Sequence, residues 1–177
     1  MITLETISRL ARERNLKHLL AGGHAVQLHG YHRTTADLDL IIRRADREQW
    51  RALMLGLEYT LFHESPDFMQ LQAKSAEDAP VDLMFSNDAT FDQIYADALP
   101  DLSGPDRPSV ISLRHLLAMK CHAIKHGHVG RIGKDVEDVI HLVMANRIKV
   151  EEPRWRDLIL KYGPKELYEK LQRTCKS

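Results

Sequence analysis

Arg33-Thr-Thr-Ala-Asp-Leu-Asp-Leu-Ile-Ile42 is the stretch on which the reading of this chain turns. After Ala36 the residues alternate, so Asp37, Asp39 and Ile41 fall on one face of a strand and Leu38, Leu40 and Ile42 on the other. Carboxylates packed side by side repel, and one is pushed towards its protonated form unless a cation lies between them. Oxygen ligands suit Mg²⁺, which takes one or two carboxylates and fills its other positions with water and phosphate oxygens. Alone, an Asp-x-Asp pair is usually two solvated acids on a half-exposed strand, so its neighbours decide the matter.

Upstream, Lys17 to Ala21 makes a short apolar strand, Gly22-Gly23 a turn, and His24 to Gly30 one or two helical turns. Glycines there permit positive φ and close approach of a phosphate, and a helix N-terminus offers N–H groups to an anion. His24 is placed for a contact to base or phosphate. Arg33, Thr34 and Thr35 precede the acidic strand. The Arg33 fork suits phosphate and carboxylate alike, and a structural salt bridge is the equal alternative. Downstream, Asp82 is a lone acid in the apolar run Pro80-Val-Asp-Leu-Met-Phe85, costly to bury unless paired or metal-bound. On a neighbouring strand it would complete a site for two ions, fit for in-line phosphoryl or nucleotidyl displacement; read alone, it is equally a strand-edge acid paired with an arginine.

Leu19-Leu-Ala-Gly-Gly-His-Ala-Val-Gln-Leu-His-Gly30, then Arg33-x-Thr-x-Asp-Leu-Asp-Leu40, resembles the nucleotidyltransferase superfamily, whose pattern is a glycine pair, an Asp-x-Asp strand and a third acid on a later strand. More narrowly the chain resembles the AbiEii-type branch, which includes toxins of toxin–antitoxin and phage-defence systems. That branch carries a helix with a lysine and a following Lys/Arg-Asp-x-x-Asp element, matched by Leu116-Leu-Ala-Met-Lys-Cys-His-Ala123 and Lys134-Asp-Val-Glu-Asp138. The resemblance spans roughly residues 17 to 145. It departs where many members have Gly-Ser in place of Gly22-Gly23-His24, and AbiEii toxins are usually longer.

The resemblance implies an α+β fold, a nucleotidyltransferase-like mixed sheet flanked by helices with a helical C-terminal half. It implies a Mg²⁺-dependent enzyme using two ions and an NTP as substrate. Asp37, Asp39 and Asp82 would be the catalytic acids and metal ligands, and Gly22, Gly23, His24, Arg33, Thr35, Lys120, Lys134 and Asp135 would serve nucleotide binding. Read on their own, Lys120 is a helix lysine reaching for solvent, and Asp135 and Asp138 are first-turn acids. The acceptor hydroxyl would belong to tRNA or a protein, and a cognate antitoxin would be a partner. Alternatives are a nucleotidyltransferase acting on aminoglycoside or lincosamide antibiotics, and a non-catalytic binding module of the same fold.

At 177 residues the chain can bury one substantial core. The expected organisation is an α/β core over 1–99 and a helical region over 109–177 packed on it as a single compact unit, with Pro100 to Pro108 around Gly104 as linker. Lys plus Arg and Asp plus Glu both total 25, so the overall charge does not indicate strong sequence-independent nucleic-acid binding. Local basic candidates are Arg43-Arg44, residues 125–134, and the last helix with Lys161, Lys165, Lys170, Arg173 and Lys176. No signal layout or membrane-length apolar run is evident, which points to a cytoplasmic protein with no membrane partner and reduced Cys121 and Cys175. His122 and His126, a turn apart and followed by His128, would need a third or fourth ligand in reach to hold zinc, and surface histidines at a helix end are the commoner reading. Helices are expected over 3–15, from an Asp46 cap to Leu57, and over 88–98, 112–126, 134–146 and 164–173. Strands are expected over 58–63, 67–73 and 80–85.

Overall fold

The computed structural model describes residues 2–104, 106–127 and 129–175. The elements run α1 (Leu4–Glu13), β1 (His18–Leu20), α2 (Gly22–Leu28), β2 (Leu38–Arg43), α3 (Arg47–Gly56), β3 (Tyr59–Glu64), β4 (Phe68–Ala73), β5 (Val81–Ser86), α4 (Asp88–Ala96), α5 (Leu113–His126), α6 (Val129–Ala145), α7 (Pro153–Tyr162) and α8 (Lys165–Thr174). Two compact units result. The first comprises Met1–Ala25 and Thr34–Ser112, the second Val26–Arg33 and Leu113–Ser177. The sequence places the division at 100–108, whereas in the structure 109–112 stay with the sheet, because Val110 pairs with both Leu20 and Leu99.

The sheet unit follows from alternation. Its five strands run in the order β1-β2-β5-β4-β3, and every adjacent pair is antiparallel except β2 with β5. That parallel pair is covered on both faces: Leu40 and Ile42 are fully buried and Ile41, on the face of the aspartates, is 4 % exposed. Asp37 itself precedes the strand, which begins at Leu38. α1 is capped by Thr3, whose side chain accepts from the Thr6 N–H, and buries Leu4, Ile7, Ser8 and Ala11 on one stripe. α3 buries Trp50, Leu53 and Met54 as its spacing predicts. Asp46 does not cap it through its side chain; a turn of 3₁₀ helix, Arg44–Asp46, leads in instead.

The helical unit is built on α5, which packs against α6 and α7, with α8 against both α6 and α7. Leu117, Cys121, Leu142, Val143, Ile159 and Leu171 fill its core. α7 is absent from the sequence expectation: Pro153 at its first turn and Leu158-Ile159 mark it, but its other positions are mostly charged. α6 begins at Val129, earlier than the expected 134. Among the described residues no helix is long and apolar enough to cross a membrane. His128 and Lys176 lie outside the described residues.

Candidate active site

The acids of the sheet unit are positioned by the parallel pairing. β2 and β5 align so that Asp39 lies directly opposite Asp82, and neighbours in register present their side chains to the same face. The strand pairing that the sequence reading needed is therefore present. Asp37, two residues before Asp39, lines a cavity of about 170 Å³ together with Asp82, Gln70, Gln72, Phe62 and Pro80.

Each strand acid has a built seat. The backbone N–H of Gly23 donates to Asp39 Oδ2 at 3.3 Å, and the N–H of Ala21 donates to the Asp39 carbonyl at 2.9 Å. On the other side β4 places Gln70 opposite Asp82, and the Gln70 amide donates to Oδ1 at 3.3 Å and Oδ2 at 3.2 Å.

The glycine pair is the start of α2 rather than a turn before it. Gly22 has φ +55°, and a Cβ there would stand 1.7 Å from Asp39 Oδ2. A Cβ on Gly23 would stand 2.4 Å from the Thr35 hydroxyl. Both glycines thus make room for polar side chains of the acidic segment, with Gly22 also supplying a left-handed backbone that other residues resist. Thr35 sits against Gly23, and His24 follows, partly buried, on α2.

Three of the expected nucleotide contacts lie instead in the helical unit, in one ion network. Arg33 grips Asp138 with both arms, Nε to Oδ1 at 2.6 Å and Nη2 to Oδ2 at 2.9 Å. Lys120 reaches Asp138 Oδ2 at 2.8 Å and Asp135 Oδ1 at 2.7 Å. Asp138 is fully buried and Lys120 only 9 % exposed. Burial alone would push the Asp138 carboxyl up, but hydrogen bonds from Arg33 and Lys120, aided by their charges, hold it below the usual range. Arg33 makes a salt bridge, one of the two readings of its fork. Lys134 is exposed on α6, next to Asp135 in sequence.

Gln70 and Phe62 are absent from the sequence reading. Gln70 is detectable only once the antiparallel register of β4 and β5 is known. Phe62 is the extra residue where the β3–β4 register shifts between Leu61 and His63; such a bulge re-aims a side chain, and this ring is 67 % exposed on the cavity.

The donor set fits a hard divalent cation: carboxylate oxygens from adjacent strands, with Asp37 on the same cavity. Among the described residues no three His, Cys, Asp or Glu side chains already converge within reach of one ion.

No family model and no curated protein matches the sequence. Solved structures do resemble it. The antibiotic-resistance factor ANT(2'')-Ia is 18% identical with a TM-score of 0.65, over 97% of this chain and 95% of that one. An antigenic nucleotidyltransferase-like protein from Paracoccidioides brasiliensis is 14% identical with a TM-score of 0.58, over 97% and 89%. A lincosamide antibiotic adenylyltransferase is 18% identical with a TM-score of 0.52, over 77% and 91%. The mixed sheet, its parallel β2–β5 pair and the helical C-terminal half together make this a nucleotidyltransferase-like fold.

Proposed function

We propose that the chain is a Mg²⁺-dependent nucleotidyltransferase that moves a nucleoside monophosphate from an NTP to an acceptor hydroxyl. The observation that carries this reading is the in-register placement of Asp39 and Asp82 at the parallel strand pair, with Asp37 on the cavity beside them. Asp37, Asp39 and Asp82 would hold the metal, which when bound neutralises the carboxylates and the charge of the triphosphate. Asp39 is kept in place by the room at Gly22 and the N–H of Gly23. Asp82, with the Gln70 amide across both its oxygens, accepts the proton of the acceptor hydroxyl as that oxygen attacks the α-phosphorus and pyrophosphate leaves. Gly22, Gly23, His24 and Thr35 serve the nucleotide in this reading, while Arg33, Lys120 and Asp135 act through the ion network that fixes the helical unit.

A tRNA or protein hydroxyl is the acceptor in the leading form, within an AbiEii-type toxin system with a cognate antitoxin. The near end-to-end match to ANT(2'')-Ia favours a second form, transfer to a small hydroxylated antibiotic. The test is transfer of label from the four α-labelled NTPs with Mg²⁺ to bulk tRNA, cell protein, tobramycin and lincomycin in parallel. One acceptor is expected to take label, and Asp82→Asn to slow it by about 100-fold or more while Mg·NTP affinity stays near that of the unaltered protein. Equal labelling by Asp82→Asn would make Asp82 structural. Absence of any labelled acceptor would replace the enzyme with a binding module of the same fold.

A further inference from the structure

The equal charge totals conceal a segregation. The helical unit holds 15 Lys and Arg against eight Asp and Glu, a formal +7, and the sheet unit holds 10 against 17, a formal −7. Within the helical unit the excess has a focus. Arg114 on α5 and Arg154 and Lys161 on α7 surround a cavity of about 290 Å³ that also takes in Tyr162, Leu158 and a single acid, Asp157. Two of these cations are propped on neighbouring rings, Arg154 over Trp155 at 5.1 Å and Lys161 over Tyr162 at 5.0 Å. Asp157 faces Arg156 at 3.0 Å and Glu152 faces Arg154 at 3.1 Å, whereas Arg114 and Lys161 have no ion-pair partner among the described residues.

We infer that this groove between α5 and α7 binds the phosphodiester backbone of single-stranded RNA. Guanidinium forks match phosphate oxygens, several cations around one concavity track a polyanion, and the Tyr162 ring on its wall offers a stacking surface for a base. The inference rests on the nucleotidyl-transfer reading only in making that RNA the acceptor strand; binding itself requires no catalysis. An acidic sheet unit gives RNA no comparable electrostatic footing, so the helical unit would hold the strand.

The test uses the full chain and a fluorescein-labelled single-stranded RNA of about 20 nucleotides, longer than one strand-binding site, with anisotropy read over a salt series. Binding is expected to weaken linearly in log salt. Combined Arg114→Gln, Arg154→Gln and Lys161→Gln should weaken it by about 10-fold or more near 0.1 M salt and flatten the slope by about 2. Lys165→Gln, Lys170→Gln and Arg173→Gln on α8, the same change in charge, should cost distinctly less. Equal losses in the two triple variants would mean that net charge alone attracts RNA and would overturn the groove. So would an unchanged groove variant, or binding of phosphatidylserine vesicles without RNA. Circular dichroism of both variants excludes misfolding as the cause. Asp39→Asn is expected to bind RNA like the unaltered chain; thus failure of transfer with intact RNA binding refutes only the enzymatic reading, and loss of RNA binding with intact transfer refutes only the groove.

Discussion

Asp138 in the helical unit and the Asp39–Asp82 pair in the sheet unit are the same side chain put to opposite uses. Asp138 is fully enclosed and answered by two cations, Arg33 and Lys120. Asp39 and Asp82 are partly exposed, and their contacts include the Gly23 backbone N–H and the Gln70 side-chain amide. A carboxylate locked between buried cations stabilises its surroundings and has little left to offer a ligand. Carboxylates aligned in register on adjacent strands repel one another, and a bound cation relieves that repulsion. In the function proposed above, the difference separates a residue that holds the fold from residues that would hold a metal.

The largest effect is expected at the locked acid. Asp138→Ala removes the paired carboxylate of Arg33 and leaves Lys120 with Asp135 alone, and removal of one partner from a buried pair costs about 3–5 kcal/mol. Urea unfolding of the variant measures this; a loss below 1 kcal/mol would show that the network is only incidental to stability.

His18 sharpens the comparison from the sheet unit, because there a buried ionisable group is kept neutral instead of paired. Its Nε2 meets the Ser8 hydroxyl at 2.9 Å, its ring stands edge-on to Trp50, and burial pulls its pKa down to about 4. The unfolded chain takes up a proton below about 6.5, and the folded one only near 4. Stability is therefore present in full above pH 6.5 and is lost as the pH falls from 6.5 to 4, by about 3 kcal/mol. Asp138, with its lowered pKa, gives way only below its ordinary value of 3.8. Unfolding followed from pH 7 to 4 checks this, and His18→Gln should flatten the profile; a profile of the same slope in that variant would place the proton uptake elsewhere.

A smaller stability effect with a larger functional one is expected at Gly22→Ala. A left-handed backbone at a residue with a Cβ costs about 1–2 kcal/mol, and that Cβ overlaps the Asp39 carboxylate. Thermal unfolding and Mg·NTP titration, run together, should show a modest fall in stability and a marked loss of affinity. Retained affinity in the folded variant would mean that the seat of Asp39 is not part of the site.

Much of the sheet unit was legible in the sequence, because alternation in 37–42, 67–73 and 80–85 is a local property of residues on opposite faces of a strand. Most helix bounds were legible from apolar spacing for the same reason. What escaped depends on contacts remote in sequence. Arg33 and Asp138 are 105 positions apart, so the partner of Arg33 was invisible. The overlap of Gly22 with Asp39 appears only when α2 is laid beside β2, which is why the pair read as a phosphate turn. α7 escaped because Leu158 and Ile159 are its only fully enclosed residues among charges. The charge segregation was lost in a whole-chain sum.

The claim that the sheet unit's acids form a metal–nucleotide site is tested most directly by calorimetric titration of the unaltered chain and Asp39→Asn with the Mg²⁺ complexes of all four NTPs. Expected are binding of at least one complex by the unaltered chain, a loss of about 10-fold or more in Asp39→Asn, where one negative charge of the site is removed, and a melting temperature for the metal-free variant equal to or above that of the unaltered chain. Equal affinity in the two proteins, or failure of the unaltered chain to bind any of the four, would contradict it.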